Sequence, residues 1–408
     1  MSNFNPSMVN SHNNFIKYQP EMLENIYGHQ DVFPYWVADM DFQVAQPITD
    51  EISRLAQRGV FSYEFNEQAV FNSISAWHRD RNSLELSPQQ FVQVPGVLSG
   101  IAMIVRHLTD EGDSVLIHTP AYHQFSNLIT KAGRNVVSSK LIDVDGHYEI
   151  DFADLDKQLS EHQVKVMIFC NPHNPTGRVW TKEELDKVTQ VATKHDVAII
   201  SDEIHADIVY GDNQFHSLVT TGYDKLVTLL GSPAKTFGMH SIANGYIYIE
   251  NETLFKGFKQ LVASMYLDHG NAISTLATIA AYTKGHQWLD EMNAYLSDTV
   301  DWIDEFVSKN IPAIKMFKPQ GTYQIWFDFS KLGLSVEQLR EVVFNRAKVG
   351  LTPGQWFSAE SGQYMRMNIA TDRDNIIASF KALHSVIQEF EPNQCQEQQA
   401  FEDKGCCC

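Results

Sequence analysis

Between about residue 90 and residue 250 the chain alternates short apolar runs with amphipathic stretches. Ser114–His118, Val164–Cys170, Val197–Ser201, Leu226–Leu230 and Tyr246–Ile249 stand between segments of helical spacing. Runs of that length joined by helix-length connections predict a mostly parallel sheet flanked by helices. Thr181-Lys182-Glu183-Glu184 has the form of a capping box and opens an amphipathic helix through Lys194, and Gly96 precedes a helical pattern over Ile101–Leu108. Beyond about residue 285 the rhythm changes. Long helical stretches (Gln287–Ser308, Ser335–Lys348, Asp374–Phe390) surround the strand candidates Thr322–Phe329 and Tyr364–Ile369, which predicts a smaller α+β unit. The expected organisation is a large α/β domain over residues 45–284, a small domain built from 1–44 with 285–392, and a flexible tail over 393–408.

A chain of 408 residues is long enough for two cores, in keeping with that division. The apolar runs are too short to cross a bilayer, and Met1–Pro6 carries neither a basic patch nor an apolar stretch. No membrane association is expected, and the expected location is the cytoplasm. Fifty acidic against thirty-one basic side chains give a formal charge of −19, which repels phosphate backbones and argues against nucleic acid as a partner. Only Cys170 lies in the body of the chain, while Cys395, Cys406, Cys407 and Cys408 sit in the polar tail, so neither a disulfide framework nor a metal site is expected.

In open α/β sheets ligands collect beyond the carboxyl ends of the strands, where helix N-termini and loop amides face one crevice. The residues at those ends are Pro95-Gly96-Val97-Leu98-Ser99, Thr119-Pro120-Ala121-Tyr122, Asn171-Pro172-His173-Asn174-Pro175-Thr176-Gly177, Ser201-Asp202-Glu203-Ile204-His205 and Gly231-Ser232-Pro233-Ala234-Lys235. Each presents a polar or aromatic group. Together they supply what a phosphorylated pyridine aldehyde needs. Lys235, after an apolar strand, would have its pKa lowered by burial and neighbouring positive charge and serve as nucleophile and then base. Asp202 occupies a costly place for an unpaired carboxylate unless it faces a protonated pyridine nitrogen, although a helix N-cap would also account for it. Asn174 and His205 are candidates for the phenolic oxygen. The amides of Val97 and Leu98 at a helix start, with the Ser232 hydroxyl, form a candidate phosphate site. Tyr122 is placed to stack on the ring.

These pieces in this order resemble the pyridoxal-phosphate (PLP) aminotransferase superfamily of fold type I, over nearly the whole chain. The segments Trp36-Val37-Ala38-Asp39-Met40-Asp41-Phe42, Ser201 to Asp207 and Tyr364-Met365-Arg366-Met367-Asn368-Ile369-Ala370 are similar to the MalY/PatB branch, which includes cystathionine β-lyases and cystalysin-like carbon–sulfur lyases. The resemblance implies Lys235 as the lysine that binds PLP covalently, Asp202 on the pyridine nitrogen, Asn174 on the phenolic oxygen and Tyr122 against the ring. It further implies Arg366 on the substrate α-carboxylate, Ala38 lining the substrate pocket through its backbone, and a homodimer in which Tyr63 reaches the phosphate of the neighbouring subunit. Two places depart from the pattern. Ala243 stands where many relatives carry an arginine eight residues after the lysine, and Gly238-Met239-His240-Ser241-Ile242 replaces the usual Asn-x-x-Gly-Leu.

The implied reaction is α,β-elimination from an amino acid with a leaving thiolate at Cβ, giving pyruvate, ammonia and a thiol. Aminotransfer uses the same residues and differs in leaving group and proton delivery, so it is the alternative. A protein-binding regulator with residual lyase activity is a third reading, because some members of the branch restrain transcription activators through their surface.

Overall fold

The structure, a computed structural model, describes residues 14–402, except for the side chains of 226–229 and 390–402. The cysteine triplet Cys406–Cys408 lies outside the described residues. In chain order the strands are β1 (Phe33–Pro34), β2 (Phe91–Val94), β3 (Ser114–Thr119), β4 (Asn135–Val144), β5 (His147–Ile150), β6 (Val166–Cys170) and β7 (Ala198–Asp202). They continue with β8 (Leu226–Gly231), β9 (Gly245–Tyr248), β10 (Lys315–Phe317), β11 (Gln324–Asp328), β12 (Val349–Gly350), β13 (Thr352–Pro353) and β14 (Tyr364–Asn368).

Eight strands form the large sheet in the order β2-β9-β8-β7-β6-β3-β4-β5. The run from β8 to β4 is parallel, β9 lies antiparallel between β2 and β8, and β5 folds back on β4. Consequently β2, β3, β4, β6, β7 and β8 all point one way. The central strands β6 and β7 are buried on both faces, as apolar runs covered by helices must be. The β4–β5 hairpin escaped the apolar-run criterion because β4 alternates buried and exposed positions. Its Asp145-Gly146 turn, with φ of 53° and 90°, was the available sequence signal.

The helix Val97–Leu108 lies against β8 and β9. A Cβ on its Gly100 would come 2.9 Å from Ile247 Cδ1 and 3.1 Å from Leu230 Cδ2, so this glycine permits the close approach. The helix begins directly after Gly96 rather than at Ile101, because its first turn, Val97-Leu98-Ser99-Gly100, lacks helical apolar spacing. The capping box at Thr181 is present in full and starts the helix Lys182–His195.

The smaller sheet has the order β10-β11-β14-β13 and packs with the helices His286–Asn310 and Arg373–Glu402. The predicted single helix Ser335–Lys348 divides into an α-helix over Val336–Arg340 and a π-helical turn over Glu341–Arg346. The N-terminal segment joins this unit: β1 pairs with β12, Tyr27 Oη donates to Gly350 O at 2.8 Å, and Arg340 donates to Ile26 O at 2.6 Å.

Candidate active site

Because β2, β3, β6, β7 and β8 share one direction, their carboxyl ends bring residues 95–99, 119–122, 171–177, 201–205 and 231–235 to the same edge of the sheet. Lys235 sits in the short helix Pro233–Phe237, whose start is fixed by Ser232: its Oγ accepts from the Ala234 amide and donates to Asn244 O at 2.8 Å. The Ser232 hydroxyl proton is therefore committed within the protein. Lys235 Nζ donates to Ala38 O at 2.5 Å. Burial lowers its pKa to about 8; Asp39 and Asp202 oppose that shift and the Arg366 charge adds to it. Asp202, the last residue of β7, accepts from the Ile204 amide at 3.2 Å, and burial raises its pKa to about 7.

Arg366 on β14 crosses from the smaller sheet into the same space. It is buried, donates through Nη1 to Asn174 Oδ1 at 3.1 Å and through Nη2 to Trp36 O at 2.8 Å, and lies 4.9 Å from the Phe357 ring. Burial lowers its pKa to about 10. Asn368 Nδ2, two residues on and so on the same face of β14, donates to Val37 O and Asp39 O at 2.6 and 2.7 Å. Every carbonyl from Trp36 to Asp39 is thus engaged. This segment ties the lysine from one sheet to the arginine from the other.

The residues present fit PLP. A buried nitrogen of His205, Nδ1, has no acceptor or donor among the described residues, and burial holds the ring well below its usual pKa, hence neutral. No side chain caps the helix that starts at Val97, so the first amides of Val97 and Leu98 are available to an anion. A Cβ on Gly245 would stand 2.9 Å from the Val97 nitrogen, so glycine there leaves that amide approachable. Tyr122, partly buried, stands at the N-cap position of the helix His123–Lys131, and its hydroxyl feels the charges of Arg366 and Asp202. Only Tyr63 lies away from this cluster, fully exposed beside Phe61 and Phe65.

Three neighbours were not among the expected site residues. Tyr323 Oη donates to Ala38 O at 3.0 Å, sharing that carbonyl with Lys235, and His240 Nε2 lies 3.3 Å from Tyr323 Oη. His123 packs 5.3 Å from Trp356 and feels the Arg366 charge. The departure at Gly238 to Ile242 was the signal for His240. Tyr323 precedes β11 and had none, since only the meeting of the two sheets brings it to Ala38.

The chain belongs to the aminotransferase class I and II family, whose model matches residues 38–380, and within it to the MalY/PatB branch. It is a PLP-dependent enzyme of the lyase or aminotransferase type. It is 35% identical to cystathionine beta-lyase PatB of Bacillus subtilis, covering 86% of this chain and 92% of that one. With protein MalY of Escherichia coli the identity is 29%, over 91% of this chain and 95% of the other. Among solved structures, cystalysin from Treponema denticola, which contains PLP, superposes with a TM-score of 0.89 at 25% identity, covering 95% of this chain and 99% of that one. A PLP-bound C–S lyase from Staphylococcus hominis in complex with L-cycloserine gives 0.87 at 29%, covering 95% and 98%. No helix among the described residues is long and apolar enough to cross a membrane.

Proposed function

We propose that this enzyme is a carbon–sulfur β-lyase that cleaves cystathionine- or cysteine-like amino acids to pyruvate, ammonia and a thiol. The observation that carries this reading is the Trp36–Asp39 segment, which holds a carboxylate-gripping Arg366 and a buried, low-pKa Lys235 on one short stretch of chain. That arrangement suits an α-amino acid, and the likeness to PatB and cystalysin over nearly the full length supports elimination as its fate.

Bound PLP supplies an electron sink for the substrate Cα. Asp202 holds a proton at the ring nitrogen, and the positive charge opposite it returns Asp202 to its ionised form. Asn174 and His205 serve the phenolic oxygen, Tyr122 packs against the ring, and the Val97 and Leu98 amides hold the phosphate beside Ser232. Arg366 grips the α-carboxylate and orients the Cα–H bond toward Lys235. Lys235 Nζ, once freed, would take the Cα proton; the Cβ–S bond then breaks, its electron pair leaves with sulfur, which is protonated to the thiol, and water hydrolyses the remaining 2-aminoacrylate to pyruvate and ammonia.

Elimination would need no second substrate, whereas aminotransfer would need a 2-oxo acid to take up the amino group in every cycle. Incubated with cystathionine and no 2-oxo acid, the enzyme is expected to release pyruvate and thiol far beyond one equivalent per site. Turnover that stops at one equivalent and resumes only on adding an oxo acid would make it an aminotransferase.

The same reading makes the enzyme a homodimer. Val60, Phe61, Tyr63 and Phe65 expose apolar surface on one loop, a costly arrangement unless another surface covers it, and Tyr63 is the residue assigned to the neighbouring phosphate. Tyr63→Phe removes one hydrogen bond to an anion, so it should weaken PLP binding about 10-fold while leaving the dimer intact. Equilibrium dialysis and sedimentation measure the two; unchanged PLP affinity would remove Tyr63 from the site.

A further inference from the structure

Two buried nitrogens, Nε of Arg366 and Nδ1 of His123, a ring close enough to feel the Arg366 charge, have no hydrogen-bond partner among the described residues. Arg366 has already committed Nη1 to Asn174 and Nη2 to Trp36. For His123 the neighbours decide the tautomer. Asn127 Nδ2 donates to Gln124 Oε1 at 3.4 Å, which orients the Gln124 amide so that its Nε2 donates to His123 Nε2 at 2.8 Å. A ring nitrogen that accepts carries no hydrogen, so in the neutral ring the proton sits on Nδ1. Burial first, and the Arg366 charge second, hold the ring at a pKa of about 4, which keeps it neutral at physiological pH. The ring is wedged 5.0 Å from Tyr122 and 5.3 Å from Trp356, so Nδ1–H has a set direction. A buried N–H with no acceptor is a net cost, and a ligand that brings an acceptor repays it.

We propose that His123 Nδ1–H is a second donor to the substrate α-carboxylate, acting beside Arg366; this rests on the amino-acid reading of the site. A carboxylate has lone pairs enough to accept from both groups. A neutral donor adds a hydrogen bond without placing a second positive charge against the guanidinium. Gln124, held by Asn127, is the positioning residue that keeps the proton on Nδ1.

The test is equilibrium binding of L-alanine and L-alaninamide to the PLP-loaded enzyme, followed by the absorbance of the bound cofactor. His123→Phe keeps the ring packing and removes the donor; His123→Asn keeps a donor near the Nδ1 position. Expected are a loss of roughly 10-fold or more in L-alanine affinity for the Phe variant, a much smaller loss for L-alaninamide, and recovery of most of it in the Asn variant. The wild-type to Phe ratio should stay flat from about pH 6 to about pH 9, because the ring does not titrate there. Equal losses for the two ligands, or no loss with L-alanine, would overturn the proposal. Binding needs no turnover, so an enzyme that binds L-alanine yet yields no pyruvate from cystathionine refutes the lyase reading separately.

Discussion

Lys235→Ala is expected to abolish turnover, by on the order of 10⁴-fold or more, because the variant loses the group assigned to Cα proton transfer. The fold should persist, since among the described residues the lysine's one hydrogen bond is to Ala38 O. Steady-state pyruvate release, checked against an unchanged circular dichroism spectrum, measures this. The structure adds a pH signature to the same residue. In the cofactor-free protein burial puts Lys235 at about 8, so its amine becomes neutral, and reactive, as the pH rises through that value. Ordinary lysines, at a reference of 10.5, are still protonated there. Labelling of Lys235 by an amine reagent should therefore rise near pH 8, ahead of the rest, and a rise near 10.5 would contradict the buried environment.

Asp202→Ala should cost about 10³-fold or more in rate. Without the carboxylate the ring nitrogen loses its proton, and several kcal/mol of stabilisation of negative charge developing at Cα goes with it. The loss should appear in kcat more than in KM, because Asp202 stands at the end of β7 and makes no contact assigned to the substrate. Near-normal kcat would show that the carboxylate is merely a buried acid, held near a pKa of 7 by desolvation with a backbone amide as its partner.

Much of this site was legible because strand ends in an α/β sheet are local features of the sequence. Asp202 comes two residues after the apolar run that ends at Ile200 and Lys235 five after the one that ends at Leu230, and the direction of the parallel strands brings both to one place. The alternation of strands and helices likewise anticipated the large sheet, apart from the β4–β5 hairpin, whose exposed face breaks the apolar-run pattern. Arg366 and Ala38 belong to stretches that carry no such local signal; only the family resemblance points to them, and their meeting depends on the smaller sheet closing over the larger. Tyr323 was beyond reach for that reason. His123 carries no signal in the sequence although it adjoins Tyr122, because its tautomer depends on Gln124 and Asn127, one and four positions further along the helix.

Five strand ends assemble around one lysine, and reduction of the PLP-loaded enzyme with borohydride, followed by peptide mapping, tests that assembly most directly. The yellow protein should bleach and carry one pyridoxyl group per chain, on Lys235. A pyridoxyl group on any other lysine would contradict the placement of Asp202, Asn174, Tyr122 and Arg366 around it.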